Sequence, residues 1–183
     1  MNNVLSLVIT FLMEIAGFLF MARFLLQACR ADFYNPISQG IIKVTDPLLK
    51  PLRVVIPTFR NLDLASFVAA WITAGLMLYA LGAFAGRVPV DVVYAIAGGL
   101  LHVLLRFLSI FFWCILIVII SSYFVPANPP PVLGLLRQIT EPILAPARRL
   151  LPSMGGLDFS PILVILALEV LRGILPDLFS RLY

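Results

Sequence analysis

Four long runs of apolar residues divide the chain, and each is long enough, or nearly so, to cross a membrane as a helix. A hydrocarbon core about 30 Å thick needs roughly 20 apolar residues in a helix. The runs show no alternation of apolar and polar residues, which argues against strands. One such run would also suit the core of a soluble protein, but four indicate membrane spans. They cover about residues 4–26, 64–84, 98–124 (or from just after Asp91) and 159–175.

The fourth run is the shortest, so it would need local thinning of the bilayer or close packing against the other helices. With that allowance, the pattern predicts an all-α polytopic membrane protein with four transmembrane helices.

The chain also carries one loop motif twice. Most of the motif returns at a constant spacing of 95 residues, while its Asn-Pro start returns at 93. Chance does not hold so many positions to one offset, so we interpret the chain as two repeats, residues 1–90 and 91–183. The motif positions are Asn35, Pro36, Thr45, Pro47, Pro51, Arg53, Pro57 and Asp63, matched by Asn128, Pro129, Thr140, Pro142, Pro146, Arg148, Pro152 and Asp158.

Each repeat contains two spans, so both repeats enter the membrane in the same direction. They are therefore parallel helix–loop–helix units, and packing them together predicts a pseudo-two-fold axis along the membrane normal.

Each loop shows apolar residues at helical spacing, which predicts short amphipathic helices at the membrane interface. Asn35 and Asn128 stand where a helix N-cap belongs, with proline next. The following prolines predict that each loop is a broken pair of helices, ended at Pro57 and Pro152. The stripes are Ile37, Ile41, Val44 and Leu48, and Val132, Leu136, Ile139 and Ile143.

Two interpretations of the loops stay open. Each is either a rigid corner of the fold or one wall of a shared vestibule. In both, Asp63 and Asp158 cap the returning helices, and they are expected to pair with Arg53 and Arg148 respectively.

Composition supports a membrane location. Hydrophobic residues make up 62% of the chain and charged residues 12%, against about 25% charged in soluble domains. The net charge of +4 then indicates cationic loops at an anionic leaflet rather than direct nucleic acid binding. Because the loops hold most of the cations, the positive-inside rule predicts loops 27–63 and 125–158 in the cytoplasm and both termini outside.

Five polar side chains interrupt the spans, all in the half of the membrane away from the loops. Charges there are costly, so they are expected to meet one another or water. We predict a cluster in which Glu14 pairs with Arg106 and Glu169 lies near Arg172 or His102. Structural pairing, an ion or proton path and snorkelling to lipid head groups all stay open. The cluster residues are Glu14, His102, Arg106, Glu169 and Arg172.

The sequence predicts no enzyme site. It holds no nucleophile–base set, no paired carboxylates with a metal ligand and no phosphate-binding glycine loop. A lone His and two separated cysteines argue against a metal or direct haem ligation, so no cofactor is expected. Gly98 and Gly99 are better interpreted as a helix-packing surface.

These motifs resemble the YggT family of bacterial membrane proteins, called YlmG in other lineages. The resemblance rests on Phe33-Tyr34-Asn35-Pro36-Ile37-Ser38, the loop to Asp63, and Thr140-Glu141-Pro142 through Asp158-Phe159-Ser160-Pro161. It implies a bacterial inner membrane location. It also implies links to osmotic tolerance and cation uptake in bacteria. In plastids and cyanobacteria it implies links to haem attachment in cytochrome b6 maturation and to nucleoid or membrane organisation. In some Gram-positive relatives it implies a link to cell division.

Two functions follow as hypotheses. The first is a non-enzymatic component or modulator of ion transport under osmotic stress, which would need an oligomer because four helices are few for a pore. The second is an assembly or scaffold factor that binds a membrane protein partner through its loops. An enzyme is a distant third.

Overall fold

The described residues of the protein form six helices and no strand. The computed structural model describes residues 2–86, 91–124, 130–150 and 158–182. Each half has the order long helix, 20-residue helix, long helix, which confirms the predicted all-α class. The helices are α1 (Asn2–Ala28), α2 (Pro36–Val55), α3 (Leu64–Phe84), α4 (Val92–Tyr123), α5 (Pro131–Leu150) and α6 (Ser160–Leu182).

Three of these helices are long and apolar enough to cross a membrane: α1 from Val4 onward, α3 and α4. The third span starts earlier than Gly98, because Asp91 caps the helix and accepts hydrogen bonds from the backbone N–H of Val93 and Tyr94. The helix α6 runs seven residues past the predicted end at Leu175. It carries Glu169, Arg172, Asp177 and Arg181 and is not among the three apolar helices, so a fourth span stays a prediction.

The prediction of a broken helix pair in each loop was wrong. Each loop forms one continuous helix, with Pro47 and Pro51 inside α2, and Pro142 and Pro146 inside α5. Each proline removes one backbone hydrogen bond to the carbonyl four residues earlier. All four prolines lie on exposed faces, so the carbonyls that they free point away from the core. The buried faces of the same helices pack on the spans, and this packing holds each helix together across its prolines.

The predicted caps of the first loop are confirmed. The Asn35 side chain accepts a hydrogen bond of 3.0 Å from the backbone N–H of Ile37, and Pro36 is the first residue of α2. The helix ends at Val55, just before Pro57. Their counterparts Asn128, Pro129 and Pro152 lie outside the described residues.

The two loop helices present their apolar stripes differently. In α2, Ile37, Val44 and Leu48 are exposed, and Ser38, Thr45 and Leu49 form the buried face. In α5, by contrast, Ile139 is buried and the neighbouring stripe positions are partly buried. The second loop helix therefore packs its stripe on the core, whereas the first presents its stripe outward.

The halves join mainly where α3 meets α4, and α1 also contacts α4. Within the first half α1 packs on α3, and within the second half α4 packs on α5 and α6. The α3–α4 contact is close because glycine faces glycine: an added Cβ on Gly99 would lie 2.8 Å from the backbone nitrogen of Gly75. This confirms Gly99 as part of a helix-packing surface.

Candidate functional site

The first loop helix is tied to the spans by four charged side chains. Arg53 pairs with Asp63 through its NH2 and with Asp46 through its NH1, the latter at 3.2 Å. Arg23 approaches both carboxylates, at 2.7 Å from Asp46 and at 3.6 Å from Asp63. Two positive and two negative charges therefore balance around Asp63, which is completely buried.

Arg23 fixes this network to α1. Its NH1 donates hydrogen bonds to the carbonyl oxygen of Ile42, at 3.0 Å, and to the Thr45 hydroxyl, at 2.9 Å. Arg23 was not among the predicted site residues, although a charge inside an apolar run was the signal for the other intramembrane residues. Its position one helical turn from the loop end of α1 explains why it reaches the loop instead of the interior cluster.

The second loop repeats the carboxylate–arginine–carboxylate arrangement without a counterpart of Arg23. Arg148 lies 3.0 Å from Asp158 and 2.7 Å from Glu141. Residues 111–120 of α4, which include the positions matching Arg23, are all apolar. The second network is therefore exposed and carries one net negative charge. Both predicted pairs, Arg53 with Asp63 and Arg148 with Asp158, are confirmed.

Both aspartates favour their charged form. Burial raises the pKa of Asp63, but hydrogen bonds from Arg53 and Ser66 outweigh burial and hold the pKa below the ordinary value. Hydrogen bonds from Ser160, followed by that from Arg148, lower the pKa of Asp158. Each aspartate also sits at the start of a helix, where a negative charge is favourable: Asp63 caps α3, and Asp158 accepts from the backbone N–H of Ser160 at 2.9 Å.

A second polar group lies between α1 and α4, deep in the apolar spans. The Glu14 carboxylate pairs with NH2 of Arg106 through one oxygen, and its other oxygen lies 2.9 Å from Nε2 of His102. The predicted pairing of Glu14 with Arg106 is thus confirmed. Glu169 pairs with Arg172 at 2.7 Å on α6, also as expected, and Arg172 stacks over the Phe112 ring.

The five intramembrane residues form two separate groups instead of one cluster. His102 contacts Glu14 and Arg106, not Glu169. Sequence separation gave the depth of each residue in the membrane but not its angular position around the helix bundle. For that reason, the expected single cluster divides between the α1–α4 contact and the surface of α6.

The Arg106 side chain packs against α1 at Gly17, where the helix has no side chain. Its side chain is only 8% exposed, and a Cβ on Gly17 would lie 1.8 Å from its NH1. That same NH1 is buried without a hydrogen-bond partner among the described residues. A buried guanidinium with an unused donor is costly unless its charge is balanced, and Glu14 supplies the balance.

A cavity of about 590 Å³ adjoins the Glu14–His102–Arg106 group. It runs along α4 past Ser109, Trp113 and Ile117 and reaches Leu136 of α5. Its end at Glu14 is polar and charged, and the rest of its wall is mainly apolar. The cavity is open on one side, where its lining residues Phe18, Trp113 and Ile117 are exposed.

The fold and these groups define a class: an all-helical protein with apolar, membrane-length helices, paired loop helices and ionisable side chains between its spans. The chain belongs to the CCB3/YggT family, which matches it twice, over residues 2–84 and 97–179. The two matches correspond to two YggT repeats.

Relatives cover most of the chain. It is 41% identical over 157 residues to uncharacterized protein PA0392 of Pseudomonas aeruginosa, which covers 81% of the chain and 76% of the relative. It is 36% identical over 170 residues to uncharacterized protein YggT of Escherichia coli K12, covering 93% of the chain and 88% of the relative. A partial match, 34% over 88 residues, covers 47% of the chain and 33% of YlmG homolog protein 2, chloroplastic, of Arabidopsis thaliana. No solved structure matches the chain.

Proposed function

We propose that this protein is a non-enzymatic component of ion transport in the bacterial inner membrane, supporting ion homeostasis under osmotic stress. One observation carries the proposal: Glu14, His102 and Arg106 meet between apolar spans beside a cavity of about 590 Å³. Ionisable groups at that depth cost about 3 kcal/mol each by insertion scales, so a group placed there is by default a candidate for an ion or proton path.

The proposed transport unit is an oligomer of this chain. The Glu14 side chain is 40% exposed on a face of α1 that would otherwise meet lipid. Leaving a carboxylate against hydrocarbon is unfavourable, and four spans are few to enclose a pore. A second copy of the chain covers this face, and α6 acts as the fourth span in each copy.

The orientation follows from the cations of the loop helices. Lys43, Lys50 and Arg149 are exposed, so they can reach anionic lipid head groups, each contact contributing about 1 kcal/mol. We therefore propose that α2 and α5 lie on the cytoplasmic side and that both termini lie outside.

Flux through purified protein in liposomes tests the function. The protein is sized in detergent, reconstituted and loaded with potassium-sensitive or pH-sensitive dye, and an outward gradient of potassium or protons is imposed. We expect faster loss of at least one gradient than in empty vesicles, and an oligomeric particle. Equal rates for both ions in protein-containing and empty vesicles would exclude direct transport.

An assembly or scaffold factor is the second candidate, and the exposed stripe of α2 favours it. Val54 is 87% exposed, and Val44 and Leu48 are exposed on the same helix. A photo-crosslinking residue at Val54 lies outside the charge network, so it leaves that network intact. A scaffold would give one reproducible membrane protein partner in cells, and capture of lipid and self alone would exclude it.

A further inference from the structure

Glu14 borders two cavities that extend in opposite directions. The first is the cavity of about 590 Å³ that runs towards the loop helices. The second, of about 490 Å³, is an open groove on the surface of α1: its lining residues all belong to that helix, and Leu7 and Phe11 among them are exposed. A charged side chain that lies within membrane spans and is accessible from two directions is a candidate for a relay.

Their combined length matches the membrane. Ser6 lies eight residues before Glu14, about 12 Å along α1, towards the N-terminal end. Ile117 lies fifteen residues beyond His102, about 22 Å along α4, towards the loop helices. Because His102 contacts Glu14, the distance from Ser6 to Glu14 and the distance from His102 to Ile117 can be added. Their sum is close to the thickness of the hydrocarbon core, about 30 Å.

The contacts of His102 fit two placements of one proton. Its Nε2 lies 2.9 Å from a Glu14 oxygen and 3.0 Å from NH2 of Arg106. A protonated Nε2 donates to Glu14 but then faces a second donor on Arg106. A bare Nε2 accepts from Arg106, and Glu14 must then carry the proton to complete its contact. The same geometry thus accommodates a proton on either side of the His102–Glu14 contact.

Arg106 acts as a fixed charge in this group. It is held by Glu14 and by its packing at Gly17 in both arrangements. Among the described residues lining the two cavities, Glu14, His102, Arg106 and Cys114 are the ionisable ones. A metal cation would have to displace Arg106 or His102 from the carboxylate, whereas a proton needs no extra space.

The geometry points to a proton relay through His102 and Glu14, an inference that rests on the proposed transport function and names its ion. Water in the loop-side cavity delivers a proton to Nδ1 of His102. The proton on Nε2 then passes to the facing oxygen of Glu14: the N–H bond breaks and an O–H bond forms. Glu14 releases the proton to water beside Thr10, and tautomer exchange restores His102. No electron is transferred, and one positive charge crosses for each cycle.

His102→Gln is the primary test, because it removes the imidazole while keeping the Glu14–Arg106 pair that supports the fold. The full chain is reconstituted in vesicles with an internal pH dye, and potassium with valinomycin clamps the voltage. We expect the wild type to collapse a pH gradient and His102→Gln to match empty vesicles. Glu14→Gln is expected to match them too. Glu169→Gln is the matched control, since Glu169 lines neither cavity, and it is expected to keep the wild-type rate.

The outcomes separate the relay from the broader function. Flux of potassium or sodium by the wild type with an intact pH gradient would overturn the proton relay and leave the transport function standing. Wild-type proton flux in His102→Gln would likewise overturn the relay. The absence of any flux would overturn the transport function itself. Unfolding in detergent at the wild-type temperature shows that a silent His102→Gln is folded.

Discussion

Replacing Asp63 by asparagine is expected to lower the free energy of unfolding by about 3–5 kcal/mol, whereas the matched Asp158→Asn costs less than about 1 kcal/mol. The two positions are equivalent in the repeats, and both face an arginine. They differ in burial: Asp63 is fully buried, and Asp158 is exposed. The experiment therefore compares one interaction in two environments within a single chain.

The large effect at Asp63 comes from the partners that it would leave behind. Arg53 and Arg23 both approach its carboxylate, and Arg23 is itself buried. Neutralising Asp63 leaves two cations near one remaining carboxylate, Asp46, with little water to screen them. In the second loop, Asp158→Asn leaves Arg148 with Glu141 in an exposed site, where water compensates for the loss.

Denaturant unfolding in detergent micelles measures both variants, with helical content as the signal. Because the pKa of Asp63 is lowered in the folded state, its contribution is complete above the unfolded-state value near 4 and is lost as the pH falls through the depressed value. The difference in the free energy of unfolding between wild type and Asp63→Asn should thus be constant near neutral pH and become smaller in strong acid. Equal losses in the two variants would show that burial does not set the strength of these networks.

The pairing within each loop was predictable because the duplication supplied it. A constant spacing of 95 residues marked Arg53, Asp63, Arg148 and Asp158 together, and residues that recur as a set in a motif tend to contact one another. The difference in burial was not predictable in this way. It depends on Arg23, which lies outside the motif and has no counterpart in the apolar part of α4.

The loop helices show where local rules fail. Prolines inside α2 and α5 predicted breaks, since each removes a backbone hydrogen bond. Tertiary packing of the buried face outweighed that preference, and the prolines lie on the opposite, exposed face. A sequence reveals the spacing of prolines, but not which face of a helix packs on its neighbours.

The intramembrane groups divide for a similar reason. The pairing of Glu14 with Arg106 was predictable from their equal depth in the membrane, and that of Glu169 with Arg172 from their spacing on one helix. The neighbours around the bundle depend on which helices touch, and α1 meets α4 while Glu169 and Arg172 pair on α6 itself. Helix order alone leaves that arrangement open, so the sequence could not decide whether Glu169 lies near Arg172 or near His102, and the structure shows that it pairs with Arg172.

Replacing Gly99 by leucine is expected to destabilise the protein by about 3 kcal/mol or more, because it forces apart the helices that join the two halves. A Cβ at this position would lie 2.8 Å from the backbone nitrogen and 2.9 Å from the Cα of Gly75. Both are backbone atoms, so no side chain can move aside. The strain falls on the α3–α4 contact, which Trp71 also supports through a 2.8 Å hydrogen bond to the carbonyl oxygen of Ile96.

Gly173→Leu is the matched control, since it places the same side chain in a helix where a Cβ meets nothing within 4 Å. Leucine is a better helix former than glycine by about 0.5–1 kcal/mol, so this variant should be neutral or slightly stabilised. Denaturant unfolding in detergent compares the two with the wild type. Similar stability for both variants would mean that α3 and α4 can separate without cost, and that the two repeats are joined elsewhere. A loss of stability in Gly99→Leu alone would show that the contact between Gly75 and Gly99 joins the two repeats. The Glu14–His102–Arg106 group between α1 and α4 is then expected to depend on this contact, because α3 packs on both helices.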